Sequence, residues 1–92
     1  MIDESKVTAV RQYLTQEFPV TKIRDWFDSG RMAQCFEIES GKTWPKAIFS
    51  EEFLEDHADN EIPALLKGFL LAEHLKECDL PIVVTNDGLS TE

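Results

Sequence analysis

The residues that could carry nucleophilic chemistry in this 92-residue chain are two cysteines and two histidines: Cys35, Cys78, His57 and His74. A nucleophilic enzyme needs a nucleophile, a base within hydrogen-bond reach and a group that orients the base. No G-x-S-x-G elbow or other nucleophile signature surrounds any of the four residues. We therefore expect a protein that is not an enzyme. The alternative is a small hydrolase that pairs Cys35 or Cys78 with a histidine.

Six carboxylates fall within eleven residues, and we call them the acidic segment: Glu51, Glu52, Glu55, Asp56, Asp59 and Glu61. No Lys or Arg lies between Ala47 and Leu66. The chain has 18 acids and 9 bases, a net charge of −9, and without the six acids the balance is 12 against 9, or −3. Such a local negative field attracts basic partners and repels nucleic-acid backbones.

The acidic segment offers oxygen ligands suited to Ca²⁺ or Mg²⁺, but its spacing does not fit the familiar calcium loop. The stretch 56–61 lacks carboxylates at alternate positions and lacks a central glycine. Neither cysteine belongs to a C-x-x-C pair, and the four glycines form no phosphate-binding loop. We expect no metal and no cofactor, and we interpret the acids as helix starts and solvated loop.

The elements that must position these residues begin with an amphipathic helix. Ser5 is its expected cap, Val7, Val10, Leu14 and Phe18 form its apolar face, and Pro19 ends it. Alternation then predicts three strands at 21–28, 31–39 and 43–49, separated by turns at 28–30 and 40–41. We expect Gly30 to supply the positive φ of the first turn and Pro45 to lie at a sheet edge or a bulge.

The second half of the chain is predicted to be helical. Ser50 caps a short helix with Glu51 and Glu52 in its first turn, and after a break at 57–60, where Asn60 is the expected cap, a long helix runs from Glu61 to about Cys78. Its apolar residues occupy more than one stripe, which predicts contacts on two sides: the sheet, and either the first helix or a second subunit. A short strand at 82–85 and a polar tail follow.

The predicted fold class is α+β: a helix, a three-stranded antiparallel meander, a short helix, a long helix on the sheet and a short C-terminal strand. Residues 1–92 are expected to form one domain with an ordered core at about 5–86. The N-terminus resembles no signal peptide, and the most apolar stretch, 62–75, is shorter than the roughly 20 residues that span a bilayer. These two observations predict a protein without membrane contact. The two distant cysteines are expected to be reduced, which predicts a cytoplasmic location.

The remaining candidate surface is one face of the sheet. If Ile23, Phe27, Phe36, Ile38 and Phe49 point toward the helices, the opposite face carries four residues that we call the tryptophan–cation cluster: Arg24, Trp26, Trp44 and Lys46. The two tryptophans could stack single-stranded bases or anchor a protein interface, or one of them could belong to the core.

The order of helix, three strands and helix from Ser5 to Cys78 resembles the topology of double-stranded-RNA-binding domains. That family carries a lysine-rich motif that grips phosphates at the start of its second helix. The matching stretch here is Asp59-Asn60-Glu61-Ile62-Pro63, and the next cation is Lys67. The resemblance therefore implies a fold and no RNA-contact residue.

The leading hypothesis is a non-enzymatic interaction or regulatory module that forms a homodimer and binds a protein with a basic surface. Its expected partner-binding residues are Glu51, Glu52, Glu55 and Asp56 together with the tryptophan–cation cluster. The alternative is a sheet-face domain for single-stranded nucleic acid, which the net charge of −9 disfavours.

Overall fold

The computed structural model describes residues 2–19, 21–41 and 43–92. In chain order, the elements are α1 (Glu4–Glu17), β1 (Lys22–Asp28), β2 (Ala33–Glu39), β3 (Lys46–Ser50), α2 (Glu51–Asp56), α3 (Ile62–Gly68), α4 (Leu71–Glu77), β4 (Ile82–Thr85) and β5 (Gly88–Thr91). The α+β class is confirmed. Among the described residues, no helix combines the length and the apolar character needed to cross a bilayer.

The strands form one mixed sheet in the order β1-β2-β3-β4-β5. The predicted antiparallel meander forms its first three strands. The predicted C-terminal strand, β4, then pairs in parallel with β3 of its own chain, and β5 returns antiparallel beside β4. The expected polar tail is therefore wrong, because Gly88 takes a φ of 110° and lets the chain reverse into a fifth strand. These two extra strands also depart from the RNA-binding-domain topology.

The core lies between one face of the sheet and the helices. Phe36, Ile38 and Phe49 are fully buried on that face, as predicted. The rings of Phe36 and Phe49 meet edge to face, with centroids 5.5 Å apart, an arrangement that aromatic pairs favour. Ile23 packs against the same core, but Phe27 does not: it lies near the end of the edge strand and is 43% exposed.

The first helix begins two residues earlier in the chain than a cap at Ser5 predicts. Asp3 is the N-cap residue with extended backbone, and its carbonyl accepts the Lys6 amide at 3.0 Å, so Ser5 lies inside the helix. No side-chain cap bond forms at Asp3. The predicted end at Phe18 and Pro19 is confirmed, since α1 stops at Glu17.

The turn between β1 and β2 uses a different residue from the one predicted. Gly30 is not the residue with positive φ; Met32 is, at 51°. The Asp28 side chain accepts the Gly30 and Arg31 amides at 3.0 and 3.3 Å, which fixes the first half of the turn. The Glu51 amide donates to the Met32 carbonyl at 2.9 Å and ties the second half to α2.

Pro45 lies neither at a sheet edge nor in a bulge. It immediately precedes β3, a central strand, so its missing amide removes no bond from the ladder. Its carbonyl still accepts the Ile38 amide at 2.9 Å.

Of the three predicted helix caps, Ser5, Ser50 and Asn60, only Ser50 is confirmed. The Ser50 hydroxyl accepts the Phe53 amide at 3.1 Å at the start of α2. Asn60 is not the cap of α3; Glu61 precedes that helix, and its side chain reaches back to accept the Ala58 amide at 3.1 Å. Pro63 lies in the first turn, as expected.

The predicted long helix is wrong, because the chain breaks between Gly68 and Leu71 into α3 and α4. Leu70 adopts the left-handed conformation with a φ of 58° and is 53% exposed. The broad apolar surface that suggested a second subunit is used inside the chain, where it packs against the sheet and against α1. Its fully or almost fully buried members are Ile62, Leu66, Leu71, Ala72 and Leu75.

Candidate interaction surface

The sheet has a second face, which we call the open face, whose side chains point away from the helices. Side chains alternate along a strand, so the register assigns this face from the partners of Cys35, which are Trp26 on β1 and Ile48 on β3. The buried residues Ala33, Cys35 and Ile48, with half-buried Val83, form a cluster there that is separate from the main core. All four belong to strands.

The tryptophan–cation cluster assembles on the open face as two crossed pairs. The Arg24 guanidinium carbon lies 5.5 Å from the ring centroid of Trp44, and the Lys46 ammonium lies 5.4 Å from that of Trp26. Both distances fall within the range in which a cation is attracted to the ring quadrupole. Trp26 is 39% and Trp44 50% exposed, so neither is a core residue.

Glu37 lies at the centre of the cluster. The register places it directly between Arg24 on β1 and Lys46 on β3, and its carboxylate forms an ion pair with Arg24. The three side chains form a cross-strand row of positive, negative and positive charge. This row and the two ring contacts hold Arg24 and Lys46 in place. The two side chains therefore lose less conformational entropy when a partner binds.

The residues on the open face beside the tryptophan–cation cluster are apolar and buried or half-buried, and Cys35 is the one directly opposite Trp26. Cys35 is only 2% exposed although its apolar cluster contains no residue of a described helix. Lys46 starts on β3 and reaches the Trp26 ring, so its stem must cross over β2. We infer that the Trp26 ring and the Lys46 stem together shield Cys35 from water.

The surroundings of Cys35 favour the protonated thiol over the thiolate. Burial raises its pKa, nearby Asp28 raises it further, and Lys46 and Arg31 only partly oppose this. A raised thiol pKa leaves less of the nucleophilic thiolate at neutral pH. Cys78 is also free and is half-buried at the end of α4.

We expect the Trp26→Ala substitution to expose this thiol. In a Cys78→Ser background, labelling of Cys35 by an aromatic disulfide reagent should accelerate at least about tenfold, because thiol reactivity follows access as well as pKa. Trp44→Ala is the matched control, since Trp44 lies outside the strands and does not oppose Cys35 in the register. Equal labelling rates in the two variants would contradict the covering role of Trp26.

The acidic segment lies elsewhere on the molecule. Pro45 and the five residues of β3 lie between Trp44 and Glu51, so six residues, roughly 20 Å of extended chain, separate them. The Asp56 carboxylate accepts the Asn86 amide group at 2.8 Å, and His57 contacts the same Asn86 at 3.1 Å. These bonds fasten the end of α2 to the turn between β4 and β5. The structure thus brings Arg24, Trp26, Trp44 and Lys46 together and leaves Glu51, Glu52, Glu55 and Asp56 as a second surface.

Glu37 and Cys35 are the members of the site that the sequence prediction missed. Alternation along β2 does place both on the face opposite the core. What the pattern lacks is the cross-strand register, which puts Glu37 beside Arg24 and Cys35 beside Trp26.

The described residues contain no group of three or more His, Cys, Asp or Glu side chains able to hold a metal ion. The fold and the surface define an α+β protein whose five-stranded sheet packs against helices on one face and carries the tryptophan–cation cluster on the other. No protein-family model, curated protein or solved structure matches this chain.

Proposed function

We propose that this protein is a non-enzymatic protein–protein interaction module and that the open face of its sheet binds the partner. The observation that carries the proposal is the pair of exposed indoles held by Arg24 and Lys46. Tryptophan and arginine are enriched among residues that dominate the energy of protein interfaces. Rigid aromatic side chains also lose little entropy when they become buried in a complex.

The charge of the open face supports a protein partner over a nucleic acid. Across β1 to β3, this face carries three cations and three anions: Lys22, Arg24, Lys46, Asp28, Glu37 and Glu39. Arg24 is already paired with Glu37, and each indole already has a cation over its ring. Binding to phosphates would require free cations, because phosphate contacts supply most of the non-specific affinity.

The acidic segment supports a partner with a basic surface. It concentrates six of the chain's 18 acids, and such a field accelerates encounter more than it strengthens the final contact. Neutralising the exposed Glu52 and Glu55 to glutamine should therefore slow association and weaken its salt dependence. Substitution of Trp44 should instead speed dissociation.

The cytoplasm is the proposed location, because both cysteines are free and reducing compartments keep thiols in that state. The raised pKa of the Cys35 thiol supports the non-enzymatic part of the proposal.

Affinity purification from the native cell, with the protein and two variants as bait, tests the proposal. We expect at least one protein to be retained by the native chain and reduced about tenfold or more with Trp44→Ala, the loss expected of an interface anchor. Leu70→Ala is the matched control, because Leu70 is an equally exposed apolar residue at the break between α3 and α4. Equal retention by all three baits would overturn the proposal.

The second candidate function is binding of single-stranded nucleic acid, favoured by the two exposed indoles beside cations. Tryptophan fluorescence titrated with oligothymidine at low salt separates the two functions. A protein-binding module should show no saturable quenching under those permissive conditions. Saturable quenching that Trp44→Ala reduces would favour the nucleic-acid function.

A further inference from the structure

The first strand of the sheet is an uncovered edge. β1 is seven residues long, and its outer side pairs with no described strand. None of its residues is buried, whereas five of the seven residues of β2 are. Trp26 and Phe27 are exposed on opposite faces beside this edge. A long edge strand with exposed aromatic residues is a template for pairing with another strand.

We infer that two copies of this chain pair antiparallel through β1 around a two-fold axis at Asp25, giving one continuous ten-stranded sheet. A two-fold axis perpendicular to the sheet keeps the helices of both copies on one side. Each residue must then face a residue of the same alternation parity. Of the registers that meet this condition, the one centred on Asp25 pairs all seven residues of β1. Shifting the axis by one residue either way pairs only five.

The pairs that this register creates are complementary. Lys22 of each copy faces Asp28 of the other, so two ion pairs form at the ends of the interface. Arg24 faces Trp26 on the open side, and Ile23 faces Phe27 on the helix side, where it would cover the exposed Phe27 ring. Opposite charges and aromatic neighbours directly across a strand pair are favourable.

In this register Asp25 of one copy faces Asp25 of the other, which would be unfavourable for two carboxylates without counter-charges. A charged side chain on the core side of an edge strand can also serve to prevent pairing. Here the carboxylate is neutralised within its own chain, because it forms an ion pair with Arg11 and accepts the Gln34 amide group at 3.3 Å. The two-fold contact therefore brings together two Asp–Arg pairs.

The other sheet edge is less suited to pairing. β5 has only four residues, and the Glu92 carboxylate that follows it is held by Arg31. A two-fold contact through β1 pairs the β1 edge of one copy with the β1 edge of the other, so neither is left to bind a third copy. Assembly should therefore stop at the dimer. A single pair of strands buries less surface than a standard protein interface, so we expect a dissociation constant in the micromolar range.

Sedimentation velocity of the native protein from about 1 to 500 μM tests association in that range. We expect a reversible monomer–dimer equilibrium with no larger species. A strict monomer at the highest concentration would overturn the inference. A continuing series of larger oligomers would also overturn it, since this would indicate head-to-tail pairing of β1 with β5.

Two charge reversals test the register. Lys22→Glu alone and Asp28→Lys alone each place two like-charged pairs in the homodimer, and each should weaken it at least about tenfold. An equimolar mixture should restore dimerisation as a heterodimer, because the two substituted positions then face each other with opposite charge. Positions 22 and 28 lie at opposite ends of β1, so no contact within one chain can mimic this rescue. Dimerisation of the single variants at native strength, or a mixture that stays monomeric, would overturn the register.

Asp28 also accepts two amides in its turn, so Asp28→Lys could unfold the hairpin. Asp28→Asn is the safer second variant, since its side-chain oxygen can still accept those amides. Mixed with Lys22→Glu, it should restore part of the lost association, because Lys22 of one chain again faces Asp28 of the other. No gain over Lys22→Glu alone would count against the register.

One more variant separates this inference from the proposed function. Trp44 lies outside β1 and contacts the proposed dimer interface only through Arg24, so Trp44→Ala should weaken the dimer far less than Lys22→Glu even where it abolishes binding of the partner protein. A loss of the dimer in Trp44→Ala as complete as in Lys22→Glu would show that the copies meet through the open face instead of the β1 edge, and would overturn the inference.

Discussion

Replacing Phe53 with alanine is expected to lower the free energy of unfolding by about 3–5 kcal/mol, the range for large aromatic residues in a core. Phe53 is almost fully buried and is the only ring on α2. Its centroid lies 6.4 Å from that of Phe49 on β3 and 6.4 Å from that of Phe69 after α3, while the His57 ring lies at 4.8 Å. Removing this ring leaves a cavity where α2, the sheet and the end of α3 meet.

Equilibrium unfolding in urea measures this loss, and Phe27→Ala is the matched control. The same atoms are removed at a position that is 43% exposed, so the expected loss is below about 1.5 kcal/mol. Phe53→Leu keeps most of the volume and should lose only about 1–2 kcal/mol, which preserves a measurable native baseline. Similar losses of unfolding free energy for Phe53→Ala and Phe27→Ala would show that the Phe53 ring does not stabilise the contact between α2, the sheet and the end of α3.

The elements that the sequence predicted correctly are those whose signals are local. Pro19 stops α1 by its own geometry, and Ser50 caps α2 through a bond three residues away. Alternation identified β1 and β2 and placed Arg24, Trp26 and Lys46 on one face, because side chains change face at every residue. These features depend on neighbours within a few positions.

The cap and turn residues were misplaced by one or two positions, whereas the larger features that could not be predicted depend on contacts between distant parts of the chain. Cys35 alternates with Phe36 and should be wet, yet it is buried on a face where Trp26 of β1 and Lys46 of β3 meet across β2. The same limit applies to the cluster: its members were assigned to one face, but which cation meets which ring depends on register. A parallel pairing of β4 with β3 likewise has no signature in four residues.

The break between α3 and α4 is the clearest case of a distant contact overriding a local pattern. The apolar residues from 62 to 75 fit one continuous helix, and Gly68 alone costs such a helix only about 1 kcal/mol. At the break, the Leu70 amide bonds the Lys67 carbonyl at 3.1 Å instead of the Leu66 carbonyl four residues back. Tyr13 of α1 fills the gap: its hydroxyl donates to the Leu66 carbonyl at 3.5 Å and accepts the Ala72 amide at 3.1 Å.

Tyr13→Phe is therefore expected to lower the free energy of unfolding by about 1–3 kcal/mol, the usual consequence of leaving buried backbone groups without a partner. The shape of the core hardly changes, because only the hydroxyl is removed. The Ala72 amide, the stronger of the two contacts, should exchange with deuterium faster than in the native protein. Urea unfolding and residue-resolved hydrogen exchange measure the two effects.

Thr43→Val provides the matched control for the loss of a hydroxyl bond. The Thr43 hydroxyl donates to the Ser40 carbonyl at 3.4 Å, but this bond is exposed, so water replaces it and the expected loss is below about 0.5 kcal/mol. A loss this small for Tyr13→Phe, with unchanged exchange at Ala72, would contradict a stabilising role for the tyrosine. The break would then depend on the packing of Leu66 and Leu71, which are both fully buried in the native protein.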